Sequence, residues 1–179
     1  NDEYEKQFLA QLDYVQPIGK EGKFETGLRG SFREMVNDYY VKQKNEQGQF
    51  EIVPGFKNYF IYNENINAWY GILGNKTKKL TYQAGLRAEN TQSLGKLTSF
   101  KQNNLDKVDT TYLNLFPSGA ISYKASDNHS FNLNYSRRIN RPSYQNLNPF
   151  EYRIDELVYS KGNPFLRPEY ANNFKLTHT

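Results

Sequence analysis

Few residues in this chain could do covalent or metal chemistry, and their spacing limits it further. There is no cysteine, which removes thiolate metal sites and any disulfide framework. His129 falls in a turn and His178 near the last residue, so each reads as a lone surface histidine. Serines are plentiful, but none sits in a nucleophile elbow. Asp155 and Glu156 are adjacent, so on a strand their carboxylates would diverge rather than share a proton. The expectation is a chain with no catalytic residue, no metal site and no cofactor, and not an enzyme.

Charge and rings offer binding instead. Arg137, Arg138 and Arg141 form a basic knot closed by Pro142. It could hold a phosphate, but arginines at a strand end more often pair with carboxylates or loop carbonyls. After it, Ser143 to Tyr159 is rich in Tyr and Asn, including Tyr144 and Tyr152. Such a loop could stack on sugars or chelates, or simply pack on itself.

The elements that must carry these residues are strands. Leu80, Tyr82, Ala84, Leu86 and Ala88 alternate with Thr81, Gln83, Gly85, Arg87 and Glu89, the clearest two-residue period in the chain. The same period predicts strands at about Gln7–Gln16, Phe24–Glu34, Tyr59–Leu73, Thr110–Ala125 and from Ser130, with another near Asn172. Pro117 lacks a ladder donor and predicts a bulge or local break. No segment shows convincing helical spacing with caps. On the wet parity stand Arg29, Arg33, Arg87, Glu89 and Arg138. With Tyr144 and Tyr152, these are the candidate ligand-binding residues.

The strands are roughly 10 to 15 residues long, where globular strands cluster near 5 or 6. The connections alternate: short at 17–23, 74–78 and 126–129, long at 35–58, 92–109 and 140–171. The segment 35–58 reads as strand extensions around a long loop. Membrane barrels alternate in this way because one rim carries tight turns and the other long loops. On the apolar parity, Tyr14, Phe24, Tyr70, Tyr82, Tyr123 and Phe131 sit close to the short turns. Leu28, Ala68, Ala84, Leu86, Ile121 and Leu133 come next. The first set reads as a lipid-facing aromatic belt, the second as the hydrocarbon zone.

Composition agrees. Aromatics make up 16% of the chain, with 15 Tyr and 12 Phe, yet mean hydropathy is −0.87. Rings beside many Asn, Lys and Gln suit two-faced strands. The net charge of +4 is too mild and dispersed for a nucleic-acid partner. The first residues are charged and read as neither a signal peptide nor a spanning helix.

Four passages carry a family resemblance, the last of them more loosely. YSRRINRPSYQNLNPF from Tyr135, then Asp155, then GNPFLRPE from Gly162 resembles the late barrel strands of TonB-dependent outer-membrane receptors of the Bacteroidetes type. LTYQAGLRAENT from Leu80 and LFPSGAISY from Leu115 are similar to the same family, and FETGLRGSFR from Phe24 more loosely. The resemblance implies an all-β antiparallel meander, part of a large transmembrane β-barrel of about 22 strands with an N-terminal plug. It implies energised uptake, through TonB, of a bulky nutrient such as an iron chelate or oligosaccharide. Residues 1–179 are then expected to be an internal piece of about seven strands, without the plug and remaining strands. The implied partners are outer-membrane lipid, the rest of the parent barrel and its plug, TonB through that plug, and a surface lipoprotein or other protein. The three Asn-X-Ser/Thr triplets at Asn75, Asn128 and Asn134 are then chance matches. Two other readings stand beside this one: a receptor-like barrel segment serving as a scaffold, and a soluble β-sandwich binding module.

Overall fold

The computed structural model describes residues 2–99, 102–154 and 157–179. Its strands are β1 (Asp2–Ile18), β2 (Gly22–Lys44), β3 (Phe50–Lys76), β4 (Leu80–Ser99), β5 (Gln102–Lys124) and β6 (Ser130–Asn140). A one-turn helix α1 (Tyr144–Leu147) and short strands β7 (Glu151–Arg153) and β8 (Tyr159–Lys161) precede β9 (Glu169–His178). One antiparallel sheet runs β1-β2-β3-β4-β5-β6-β9, and β7 pairs with β8. Among the described residues, β1 and β9 each pair on one side only.

Two connections expected to be long are strands instead. β2 and β3 run out to a tight turn at 45–49, where the Asn45 side chain accepts from the Gln47 and Gln49 amides at 3.1 and 2.9 Å. β4 and β5 likewise extend through most of 92–109. These stretches mix apolar residues such as Met35 and Leu97 with many polar ones, and the polar residues do not prevent a ladder from forming. The β2–β3 register shifts once, between Tyr40 and Lys42. At Pro117 there is no bulge, since Leu86 pairs with it in register. The β5–β6 ladder, however, stops at Ser118, the residue after it.

Directly opposed residues of an antiparallel pair share a face. The register therefore sorts β1 to β5 and β6 as far as Ser136, where its ladder with β5 ends. One face holds Arg29, Ala68, Glu89 and Asn114; the other holds Leu28, Trp69, Ala88 and Leu115. The second is apolar and exposed over much of its extent. β3 departs from the expected assignment. Its even positions oppose the odd positions of β4, so Ala68 and Tyr70 stand on the polar face. Trp69 and Leu73 take the apolar face in their place. The Tyr70 ring lies over Gly27, where a Cβ would sit 2.6 Å from it, and its hydroxyl donates to Asp13 Oδ1 at 2.5 Å.

The long connection 141–168 folds back onto the polar face. Tyr144 and Phe150 bury against Met35, Phe60, Tyr62 and Leu97. Burying each large apolar side chain contributes about 1.5–3 kcal/mol, enough together to hold the connection down. Helix α1, which the sequence pattern does not predict, starts at Ser143, whose hydroxyl accepts from the Asn146 amide at 3.3 Å. Only local caps mark such a short helix, because one turn cannot show a helical period.

Candidate functional site

The two motif halves of the long connection lock onto each other. Asn148 is fully buried, and its side chain accepts from the Phe150 amide at 3.1 Å. Its carbonyl accepts from Gly162 N at 3.0 Å, and the Asn146 carbonyl accepts from Asn163 N at 2.7 Å. Gly162 lies so close that a Cβ would meet the carbonyls of Asn148, Asn146 and Gln145 at 2.5, 2.6 and 2.8 Å. Glycine is required there by that close approach.

An ion-pair network fastens the start of the connection to the wall. Arg87 and Glu89 are two residues apart on β4, so they share a face. Arg87 Nε donates to Glu89 Oε1 at 2.5 Å, and Arg141 Nη2 donates to Glu89 Oε2 at 2.6 Å. Arg141 Nη2 also reaches Thr91 Oγ1 at 3.2 Å. Burial opposes the Arg141 charge, but the Glu89 bond and charge outweigh it and hold its pKa above the ordinary guanidinium value. Arg141 Nε is buried with no partner.

Above this network a cavity of about 540 Å³ opens between β3–β5 and the connection. Its floor is two register rows, Tyr62–Gly95–Val108 and Glu64–Ser93–Thr110. The middle residue of each row is small, which leaves the hollow. Prolines 142, 149, 164 and 168 roof it, and Arg141 and Arg167 also line it. Tyr170 lines it too, its hydroxyl donating to Asn114 Oδ1 at 2.7 Å.

The other candidate residues disperse. Arg29 stands on the polar face opposite Gln11 and Ala68. Arg33 donates to Glu5 Oε1 at 2.7 Å. Arg138 faces Ala171 in the β6–β9 ladder, beyond the end of the β5–β6 ladder. Tyr144 is a packing residue, its ring closed inside the core cluster. The Tyr152 side chain, Asp155 and Glu156 lie outside the described residues. The histidines, read as separate, meet: the β6–β9 register brings His129 Nδ1 to 3.1 Å from His178 Nε2. Among the described residues no group of three or more His, Asp or Glu is placed to hold a metal ion.

Sequence reasoning missed the Glu89–Arg141 pair, the Asn148–Gly162 lock and the cavity. Only the Gly-Asn-Pro spacing hinted at the lock.

Comparison with known sequences decides the setting of these two faces. The outer membrane protein beta-barrel family matches residues 1–179. The chain belongs to that family. No curated protein and no solved structure matches it. The protein is an all-β antiparallel barrel protein of the bacterial outer membrane. No helix among the described residues is long and apolar enough to cross a membrane, which says nothing of a β-barrel.

In such a barrel the apolar face meets lipid and the polar face the lumen. The lipid band can be read from the register. On β4 the outward residues are apolar from Leu80 to Ala88, then Asn90 and Gln92 follow. That length matches the about 9 to 11 residues of a tilted spanning strand. On β3 the outward face runs Leu73, Gly71, Trp69, then Asn67, Asn65 and Asn63. Tyr14, Tyr82, Tyr123 and Phe131 stand exposed on this face, and Phe24 shares it.

Proposed function

We propose that this chain is a wall segment of a TonB-dependent receptor barrel of the Bacteroidetes type, working in energised uptake of a bulky nutrient. One observation carries the reading. The connection 141–168 folds onto the lumen face and encloses a cavity there, as a wall that handles a solute requires. A seven-stranded open sheet is too small to close around such a solute, so the parent barrel supplies more strands and a plug. The plug carries the link to TonB. The role needs no covalent chemistry.

The test is growth of the source bacterium on single iron chelates or oligosaccharides as the sole supply. Deleting the parent gene should abolish growth on one of them, and collapsing the proton gradient should stop its accumulation. Accumulation that continues without the gradient would sink the reading.

A scaffold role draws on a different feature. Ile154, Leu157 and Tyr159 expose apolar surface on the connection, Leu157 at 92%. Cross-linking of the intact receptor on cells tests it: a surface lipoprotein caught at position 157 would favour the scaffold.

A further inference from the structure

We infer that the cavity between β3–β5 and the connection binds a flat aromatic ring carrying an anionic group; this rests on the receptor reading above. The shape comes from the floor. Tyr62 on β3 stands beside Gly95 of the central strand, and Tyr112 on β5 stands opposite Thr91, one row beyond Ser93; both tyrosines line the cavity. Tyr62, Tyr112, Phe165 and the prolines give the lining apolar faces on which a planar ring can stack. Its volume, about 540 Å³, falls within the about 300–1,000 Å³ of small-molecule sites. A sugar would need many polar partners, and this lining is mostly Pro, aromatic and aliphatic.

The charge comes from the arginines. Arg141 and Arg167 line the cavity against a single carboxylate, Glu64. Arg141 gives Nη2 to Glu89 and Thr91, and its guanidinium is also held by the Tyr112 hydroxyl. An anionic oxygen of the ligand would take charge-assisted hydrogen bonds from the guanidinium groups of Arg141 and Arg167 that line the cavity. Glu89 is shared by Arg87 and Arg141, so the network under the cavity keeps one net positive charge.

The full-length receptor in lipid nanodiscs is titrated calorimetrically with 2-naphthoate, neutral 2-naphthylmethanol and the trisaccharide raffinose. Naphthoate should bind saturably, the alcohol about tenfold more weakly for lack of the charged hydrogen bond, and raffinose not at all. Gly95→Leu narrows the cavity and should weaken naphthoate by about tenfold or more, with the heat-dependent gel mobility of the barrel unchanged. Ser93→Leu serves if Gly95→Leu fails to fold. Absent naphthoate binding, equal binding of the alcohol, preference for raffinose, or naphthoate binding untouched by the narrowed cavity would each overturn the inference. If naphthoate fails while gradient-driven uptake persists, the ligand class is wrong and the receptor reading stands. If naphthoate binds but uptake ignores the gradient, the receptor reading is the one that fails.

Discussion

β3 and β4 lie side by side and look alike in sequence, yet their apolar residues face opposite ways. On β4 the even positions Leu80 to Ala88 take the apolar face. On β3 the even positions Phe60, Tyr62, Ile66, Ala68, Tyr70 and Ile72 turn to the lumen. The difference lies in what covers them. Phe60 and Tyr62 are buried by Tyr144 and Phe150 of the connection, so they are core residues of a folded-in loop. Tyr70 spans Gly27 to reach Asp13. Alternation shows that a strand has two faces; it does not show which apolar cover each face meets. A one-residue error then reverses every side chain.

The largest expected effect tests the lumen side of β4. Glu89→Ala leaves Arg87 and Arg141 without their shared acceptor. Breaking such a half-buried pair costs about 3–5 kcal/mol. Urea unfolding of the full-length protein in lipid should show that loss, with the connection 141–168 becoming protease-sensitive first. A stability within about 1 kcal/mol of wild type would mean that the network does not fasten the connection.

The next pair tests β3 directly. Trp69→Arg puts a charge into lipid and should cost about 2–4 kcal/mol, less toward the interface. Leu86→Arg on β4 is the matched control, since Leu86 also faces outward. Tyr70→Arg, one residue along, points to the lumen and should cost far less. If Tyr70→Arg proved the more damaging of the neighbours, the face assigned to β3 would be wrong.

A smaller effect is expected at the lock. Gly162→Ala drives a methyl toward three carbonyls, an overpacking worth about 1–3 kcal/mol. Limited proteolysis should cut within 141–168 faster, while the sheet stays intact. Equal cleavage rates would show that the connection is held by the Tyr144–Phe150 packing alone.

Much of the wall is legible in the residues alone. Period-two alternation locates the seven long strands, and the short turns expected at 17–23, 74–78 and 126–129 stand at 19–21, 77–79 and 125–129. Strand ends are not legible, because Met35–Lys44 and Gln92–Ser99 lack a clean alternation and pass for loops, yet they pair, the first with one register shift between Tyr40 and Lys42. The site is least legible. Arg141 stands out as part of a basic knot, but Glu89 lies 52 residues before it. Only the sheet register, set by pairings all along β4 and β5, brings that wall under the connection. The histidines show the same blindness, since a single ladder brings together residues 49 apart.

The smallest expected effect belongs to Tyr70 itself. Its hydroxyl donates to Asp13 across the gap left by Gly27, and both side chains are open to solvent on the lumen face. Water competes for both groups, so the bond adds little to stability. Its work is positional: it holds the ring flat over β2 and supports the close approach of three neighbouring strands. Tyr70→Phe should therefore shift the unfolding midpoint less than any change above. Asp13→Asn should do the same, and the double variant should match either single one because both remove one interaction. Gly27→Ala should act more strongly, since its methyl would meet the Tyr70 ring at 2.6 Å and the Leu12 carbonyl at 2.7 Å. Additive losses from Tyr70→Phe and Asp13→Asn would show that the two do not act as a pair. The lumen placement of Tyr70 would then rest on the register alone.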